Sequence, residues 1–158
     1  MRSTLNLFLE WTLAILLALM TLDVLWGVLT RYLLNAQSSW TDELARYLLI
    51  WIGMMGAAYA SGQNLHIAID LISGTLSQRN QKRLTAFIAM LISAFVSLVF
   101  IIGGIRYVYI AFKLGQQSPA LHIPMGVVYG IFPLAGFIII YFKLNDLKKL
   151  YSSQINSN

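Results

Sequence analysis

Cysteine is missing from the sequence altogether. That removes disulfides, thiolate nucleophiles and cysteine-ligated metal or redox centres from consideration. Histidine occurs only twice, at His66 and His122, and no third ligand stands near either, so neither a metal site nor any other cofactor is expected. Charge is scarce as well: 11% of the 158 residues are Asp, Glu, Lys or Arg, against about 25% in a soluble domain. A chain so poor in charge cannot cover a globule with polar surface, and lipid has to cover it instead. No Ser–His–Asp set, phosphate-cradling loop or pair of catalytic carboxylates is present, so the pattern is not that of an enzyme.

What is abundant is apolar, at 58% of residues. Four segments, about 7–34, 44–60, 84–105 and 125–142, read as membrane spans. A hydrocarbon core of about 30 Å takes roughly 20 helical residues to cross. Segments without β alternation must cross as helices, because lipid offers the backbone no hydrogen-bond partners. The expectation is one all-α integral membrane domain over residues 1–158. The opening MRSTLNLFLEWTLAILLALM has the look of a secretory signal. However, Glu10 interrupts its apolar run, no small-x-small cleavage site follows, and the hydrophobicity resumes after Asp23. It reads as a retained span.

Orientation follows from the basic residues. Arg2, Arg79, Lys82, Arg83, Lys143, Lys148 and Lys149 make seven on one side, and Arg31, Arg46, Arg106 and Lys113 make four on the other. The positive-inside rule then puts both termini in the cytoplasm. The formal net charge of +5 needs no nucleic acid to explain it. Arg79, Lys82 and Arg83 suit the phosphate headgroups of membrane phospholipid.

The second span opens on SSWTDELARY. Ser39 and Asp42 fit a helix N-terminal box. Asp42 and Arg46 are four apart and Glu43 and Arg46 three apart, so all three can meet on one helical face. Trp40 and Tyr47 suit the water–lipid boundary. The stretch therefore reads as an interfacial amphipathic helix leading into the second span. Asp23 is an acid within the first span, where such a residue is a functional candidate by default. It reads as a structural ion pair with Arg31, Arg46 or Arg106, as an interhelical or inter-subunit contact, or as a cation or proton site. His66 and Asp70, four apart, read as a satisfied interfacial pair. Pro119 and Pro124 exclude a regular helix through GQQSPALHIPMG, Pro124 suits the first turn of the next helix, and Pro133 should kink the fourth span. Gly53, Gly56, Gly103 and Gly104 give small faces for close helix approach.

The stretch SWTDELARYLLIWIGMMGAAYASGQNLHIAIDLI resembles the signature of the small (DctQ/SiaQ-like) membrane subunit of tripartite ATP-independent periplasmic (TRAP) transporters, at Trp40, Asp42, Glu43, Arg46, Tyr47, Trp51, Gly56, Ala57, His66 and Asp70. DVLWGVLTRYLLN and GQQSPALHIPMGVVYGIFPLAG resemble the end of that family's first span and its last connection and span. The resemblance implies a bacterial inner-membrane scaffold beside a large elevator-type permease. That permease would hold the substrate and sodium sites and be served by a periplasmic substrate-binding protein. The cargo it implies is an organic acid, such as sialic acid (the favoured one), a C4-dicarboxylate or another sugar acid. Within that reading, Asp42, Glu43 and Arg46 hold the interfacial helix. Gln37, Ser38, Ser39 and Trp40, with Gln116, Gln117, Ser118 and His122, face the binding protein. The alternative from another class is a self-sufficient small transporter or channel acting as a homo-oligomer.

Overall fold

A computed structural model of the chain describes residues 2–33, 35, 38–63 and 78–155. Helix α1 covers Arg2–Leu33, α2 Ser39–Gly62 and α3 Gln78–Phe95. A π-helical stretch, Val96–Gly103, carries α3 directly into α4, Gly104–Lys113. The short α5, Met125–Tyr129, and the long α6, Ile131–Ile155, are the last described elements. Among the described residues, four helical stretches are long and apolar enough to cross a membrane: Ser3–Leu33, Ser39–Gly62, Leu84–Lys113 and Met125–Lys148. All four expected spans are thus present, each running on as helix beyond the expected bounds at one end or both. Arg106, expected in a connection, lies inside the third of them.

The start of α2 corrects one expectation. Among the described residues no separate interfacial helix is set off from the second span; the charged turn and the apolar run form one unbroken helix from Ser39. The cap is also displaced by one residue. Ser38, at φ −79° and ψ 105°, is the N-cap and makes no side-chain cap bond. Its carbonyl instead accepts a hydrogen bond from Thr41 Oγ1 at 2.8 Å. A hydroxyl that bonds backwards along the chain leaves the box motif unused.

The helices make a layer rather than a bundle. The first span packs on the second, the second on the fourth, and the fourth on the third. Two close approaches fix the first pair: a Cβ on Gly27 would lie 3.0 Å from Thr41 Oγ1, and one on Gly62 would strike Asn6. Asn6 to Gly27 and Thr41 to Gly62 are each 21 residues, so α1 and α2 run antiparallel in constant register. Trp51 Nε1 donates to the Val128 carbonyl at 3.1 Å, and Gly62 faces the Phe142 ring, so the second and fourth spans run parallel. Burial follows this order. In the most apolar stretch of the fourth span 39% of residues are buried, against 6% in the first and 11% in the third. Leu9, Met55, Ile131 and Phe142 form one core cluster, and Ala58, Val96, Ala135 and Ile139 the other.

Pro133 acts as expected, though the break falls just before it. The fourth span divides at Gly130, which leaves Pro133 in the first turn of α6, where its missing N–H costs nothing. A Cβ on Gly104 would lie 2.9 Å from Pro133 Cδ, and one on Gly136 3.0 Å from Ile101 Cγ1. The third and fourth spans therefore touch backbone to ring at this point. The π stretch was not legible in the sequence.

Candidate functional site

Side-chain and backbone hydrogen bonds converge on a clasp between the start of α2 and the connection from α4 to α5. Gly115, at φ +59°, ends α4 in the left-handed region. Its N–H bonds to Phe112 O at 3.1 Å and the next N–H, of Gln116, to Ala111 O at 3.0 Å. This is the paired closure that a glycine past a helix end permits. The chain then folds back on itself. Met125 N bonds to Gln116 O at 2.9 Å and Ser118 N to Ile123 O at 2.9 Å. Ser118 Oγ accepts from Ile123 N at 3.2 Å, and Ser118 is 1% exposed.

Glu43 reaches across to this loop. Its Oε2 accepts the consecutive amides of Ala120 at 2.8 Å and Leu121 at 3.0 Å. Its Oε1 accepts the Tyr47 hydroxyl at 2.6 Å, one helical turn along α2. That hydroxyl oxygen also lies 3.3 Å from Met125 Sδ. Two backbone N–H groups aimed at one oxygen make an anion cradle, and bonds to an ionised acceptor are roughly twice as strong as neutral ones. A single carboxylate thus holds together segments 77 residues apart in sequence. Above it lies a recess of about 640 Å³ lined by Ser39, Asp42, Arg46, Gln116, Gln117 and Tyr129, among others.

Several expected contacts are replaced. Glu43 does not pair with Arg46: the loop amides and Tyr47 take both its oxygens, and Arg46 stands exposed on the rim of the recess. Asp23 is 6% exposed, and among the described residues neither of its oxygens has a hydrogen-bond partner. The arginines expected to meet it, Arg31, Arg46 and Arg106, are all exposed. Asp23 belongs to the stripe that α1 buries, with Leu9 and Thr30, and the register of the pair sets it opposite Ala45, which has nothing to donate. Arg31 and Asp42 share a smaller recess of about 200 Å³ with Gly27 and Thr41.

Among the docking candidates, Ser39, Gln116, Gln117 and His122 are exposed, Trp40 is 39% exposed, and Ser38 is half-buried. Ser118 is a correction, since its hydroxyl is spent inside the loop it was expected to present. Gln37, His66 and Asp70 lie outside the described residues, as do the side chains of Arg79, Lys82 and Arg83. Sequence reasoning missed the role of Tyr47, whose signal was its four-residue spacing from Glu43. It also missed the amides of Ala120 and Leu121, which carry no signal at all. Among the described residues, no group of three or more His, Asp or Glu side chains could hold a metal ion.

These features define a multi-pass helical membrane protein whose polar organisation is structural. Residues 20–152 match the family described as the DctQ component of tripartite ATP-independent periplasmic transporters. The chain is 30% identical over 148 residues to the ectoine TRAP transporter small permease protein TeaB of Halomonas elongata, covering 90% of this chain and 74% of that one. It is 29% identical over 126 residues to the sialic acid TRAP transporter small permease protein SiaQ of Vibrio cholerae, covering 76% and 70%. The sialic acid TRAP transporter permease protein SiaT of Haemophilus influenzae matches at 29% identity over 79 residues, half of this chain but 13% of that protein. The chain belongs to the DctQ component family, a family of transporter subunits and not of catalysts.

Proposed function

We propose that this chain is the fixed scaffold subunit of a secondary-active TRAP transporter in a bacterial inner membrane, with both termini cytoplasmic. It braces a large elevator-type permease that imports an organic acid, delivered by a periplasmic binding protein and driven by a sodium gradient. The observation that carries this reading is the one-layer packing of the spans. A chain that moved a solute alone would enclose a polar path between its helices. Here each helix meets its neighbours edge to edge, and the flanking first and third spans are almost bare. On α2, a Cβ added at Gly53 or Gly56 would meet nothing within 4 Å, which leaves small-residue surface free for another helix to approach.

Two comparisons support the same reading. The match to a short part of a much longer permease agrees with a working unit in which this kind of chain sits beside a larger one. The small-permease relatives are named for ectoine and for sialic acid, which agrees with substrate choice residing on other subunits. A permanent brace also suits the clasp, which fixes the second span to the fourth without any moving part.

The test is affinity purification in mild detergent followed by reconstitution. The chain is expected to bring down its large permease, and liposomes holding this chain alone are expected to pass no organic acid. Sodium-driven uptake of such an acid into vesicles containing only this protein would overturn the proposal in favour of a self-sufficient transporter.

A further inference from the structure

An apolar groove lies at the end of the layer opposite the clasp, where α1 begins and α6 draws to its close. Thr4, Leu5 and Phe8 of α1 form one wall, and Phe137, Ile138 and Tyr141 of α6 the other, around a volume of about 610 Å³. Leu5 and Ile138 pack on the core cluster of Leu9 and Phe142 and make the floor. Phe8, Phe137 and Tyr141 stand exposed along the sides. The two helices run in opposite directions, so Thr4 and Tyr141 share the outer end of the groove, and Phe8 and Phe137 the inner one.

Two features point to what fills it. Helices approach one another in a membrane through small residues, at axis separations of about 8–10 Å. Such residues face outward on α2, at Gly53 and Gly56. The groove is walled by rings instead, which hold a further helix off but admit a thin, flexible chain. The second feature is the order of the polar groups. Past the hydroxyl-bearing Thr4 and Tyr141, α6 carries Asn145 and the exposed Lys148, four and seven residues beyond Tyr141 and so on the same face. Side chains on a helix lean toward its N-terminus, which tilts Lys148 back toward the groove. Rings and aliphatic side chains, then hydroxyls, then an amide and an ammonium match a phospholipid from acyl chain to phosphate. Basic pockets between spanning helices are known takers of such headgroups.

We infer that the groove between α1 and α6 holds one acyl chain of a phospholipid, whose phosphate meets Tyr141, Asn145 and Lys148 at the membrane surface. The lipid wedges the sparsely buried first span against the fourth. Its place in the inner leaflet rests on the proposed cytoplasmic termini; the site itself does not depend on that orientation.

The test is native mass spectrometry of the full chain, alone and with its large permease, released from mild detergent at stepwise collision energy. The wild type is expected to keep one phospholipid per chain after looser lipids have left. Lys148→Glu is expected to cut the retained fraction about tenfold, and Phe8→Ala combined with Phe137→Ala by a similar factor. Two controls are expected to leave it unchanged. Lys143→Glu makes the same charge change two residues from Tyr141, on the opposite face of α6. Phe87→Ala combined with Leu91→Ala trims exposed positions on α3 instead. Equal loss in the groove variants and the controls would mean ordinary annular lipid and overturn the inference. So would retention that Lys148→Glu leaves untouched. Crosslinking of Phe137→Cys to the permease, with no lipid kept in the complex, would give the groove to that subunit and overturn it as well. Failure of the permease to co-purify counts against the scaffold reading alone, because the lipid is also read on this chain by itself.

Discussion

The clasp and the seam between α1 and α2 treat buried polar groups in opposite ways. At the clasp, Glu43, Tyr47 and Ser118 are all bonded, and Trp51 is tied to Val128 one turn further in. Along the seam and at its far end, the oxygens of Asp23, Asn6 Oδ1 and Ser61 Oγ are buried without hydrogen-bond partners among the described residues. A buried polar atom without a partner carries the full cost of its lost hydration. The contrast separates a part of the molecule finished by its own chain from a part whose polar atoms are not served by the helices that bury them. The clasped end of the second and fourth spans is the finished part; the seam with α1, Ser61 of the second span included, is not.

The sharpest way to break the finished part is Glu43→Ala. It leaves two amides and a phenol without their acceptor. The exchange of the Ala120 and Leu121 amides with solvent is expected to speed up about tenfold or more, and recovery of the complex with the large permease should fall. Protection unchanged in the variant would mean that the clasp is not what closes the loop. Next in size is Gly104→Ala, whose Cβ would lie 2.9 Å from Pro133 Cδ. Over-packing of this sort costs about 1–3 kcal/mol, read as a lower melting temperature of the purified chain. Trp51→Phe removes a single N–H bond to Val128 and should cost about 1 kcal/mol, a fall of about 2–4 °C for a chain of this size. The smallest effect, and of opposite sign, belongs to the seam. Asp23→Leu removes two unserved oxygens and is expected to raise the melting temperature of the isolated chain slightly. A clear fall would show that Asp23 has a partner, and the two regions would then differ less than their hydrogen bonds indicate.

The spans were legible because about 20 consecutive apolar residues constitute a signal in themselves. Their ends were not, since a helix continues for as long as its residues tolerate helix, as the third span does through Arg106 to Lys113. Pro124, with φ −59° before α5, and the break beside Pro133 followed from ring chemistry alone. Glu43 was singled out in the sequence for its neighbours at helical spacing, yet its main partners are backbone amides 77 and 78 residues away. Any residue but proline supplies such an amide, so no pattern of residue types could reveal them. Asp23 was marked correctly as unusual, but the arginines assigned to it all face outward. Sequence fixes how far along a helix a residue lies more readily than it fixes which way the residue points. The order of the helices in the layer depends on small-residue approaches such as Gly27 to Thr41, visible only once both helices are in place.

The π stretch has a consequence for how the third span is oriented. A helix that closes its bonds five residues apart turns less per residue than an ordinary one, so eight residues from Val96 to Gly103 leave Gly104 and all that follows at a different azimuth. The two halves of that span behave as rods joined by a built-in twist. Deleting one residue between Leu98 and Ile102 would tend to unwind the twist and swing Gly104 away from the proline ring it now meets.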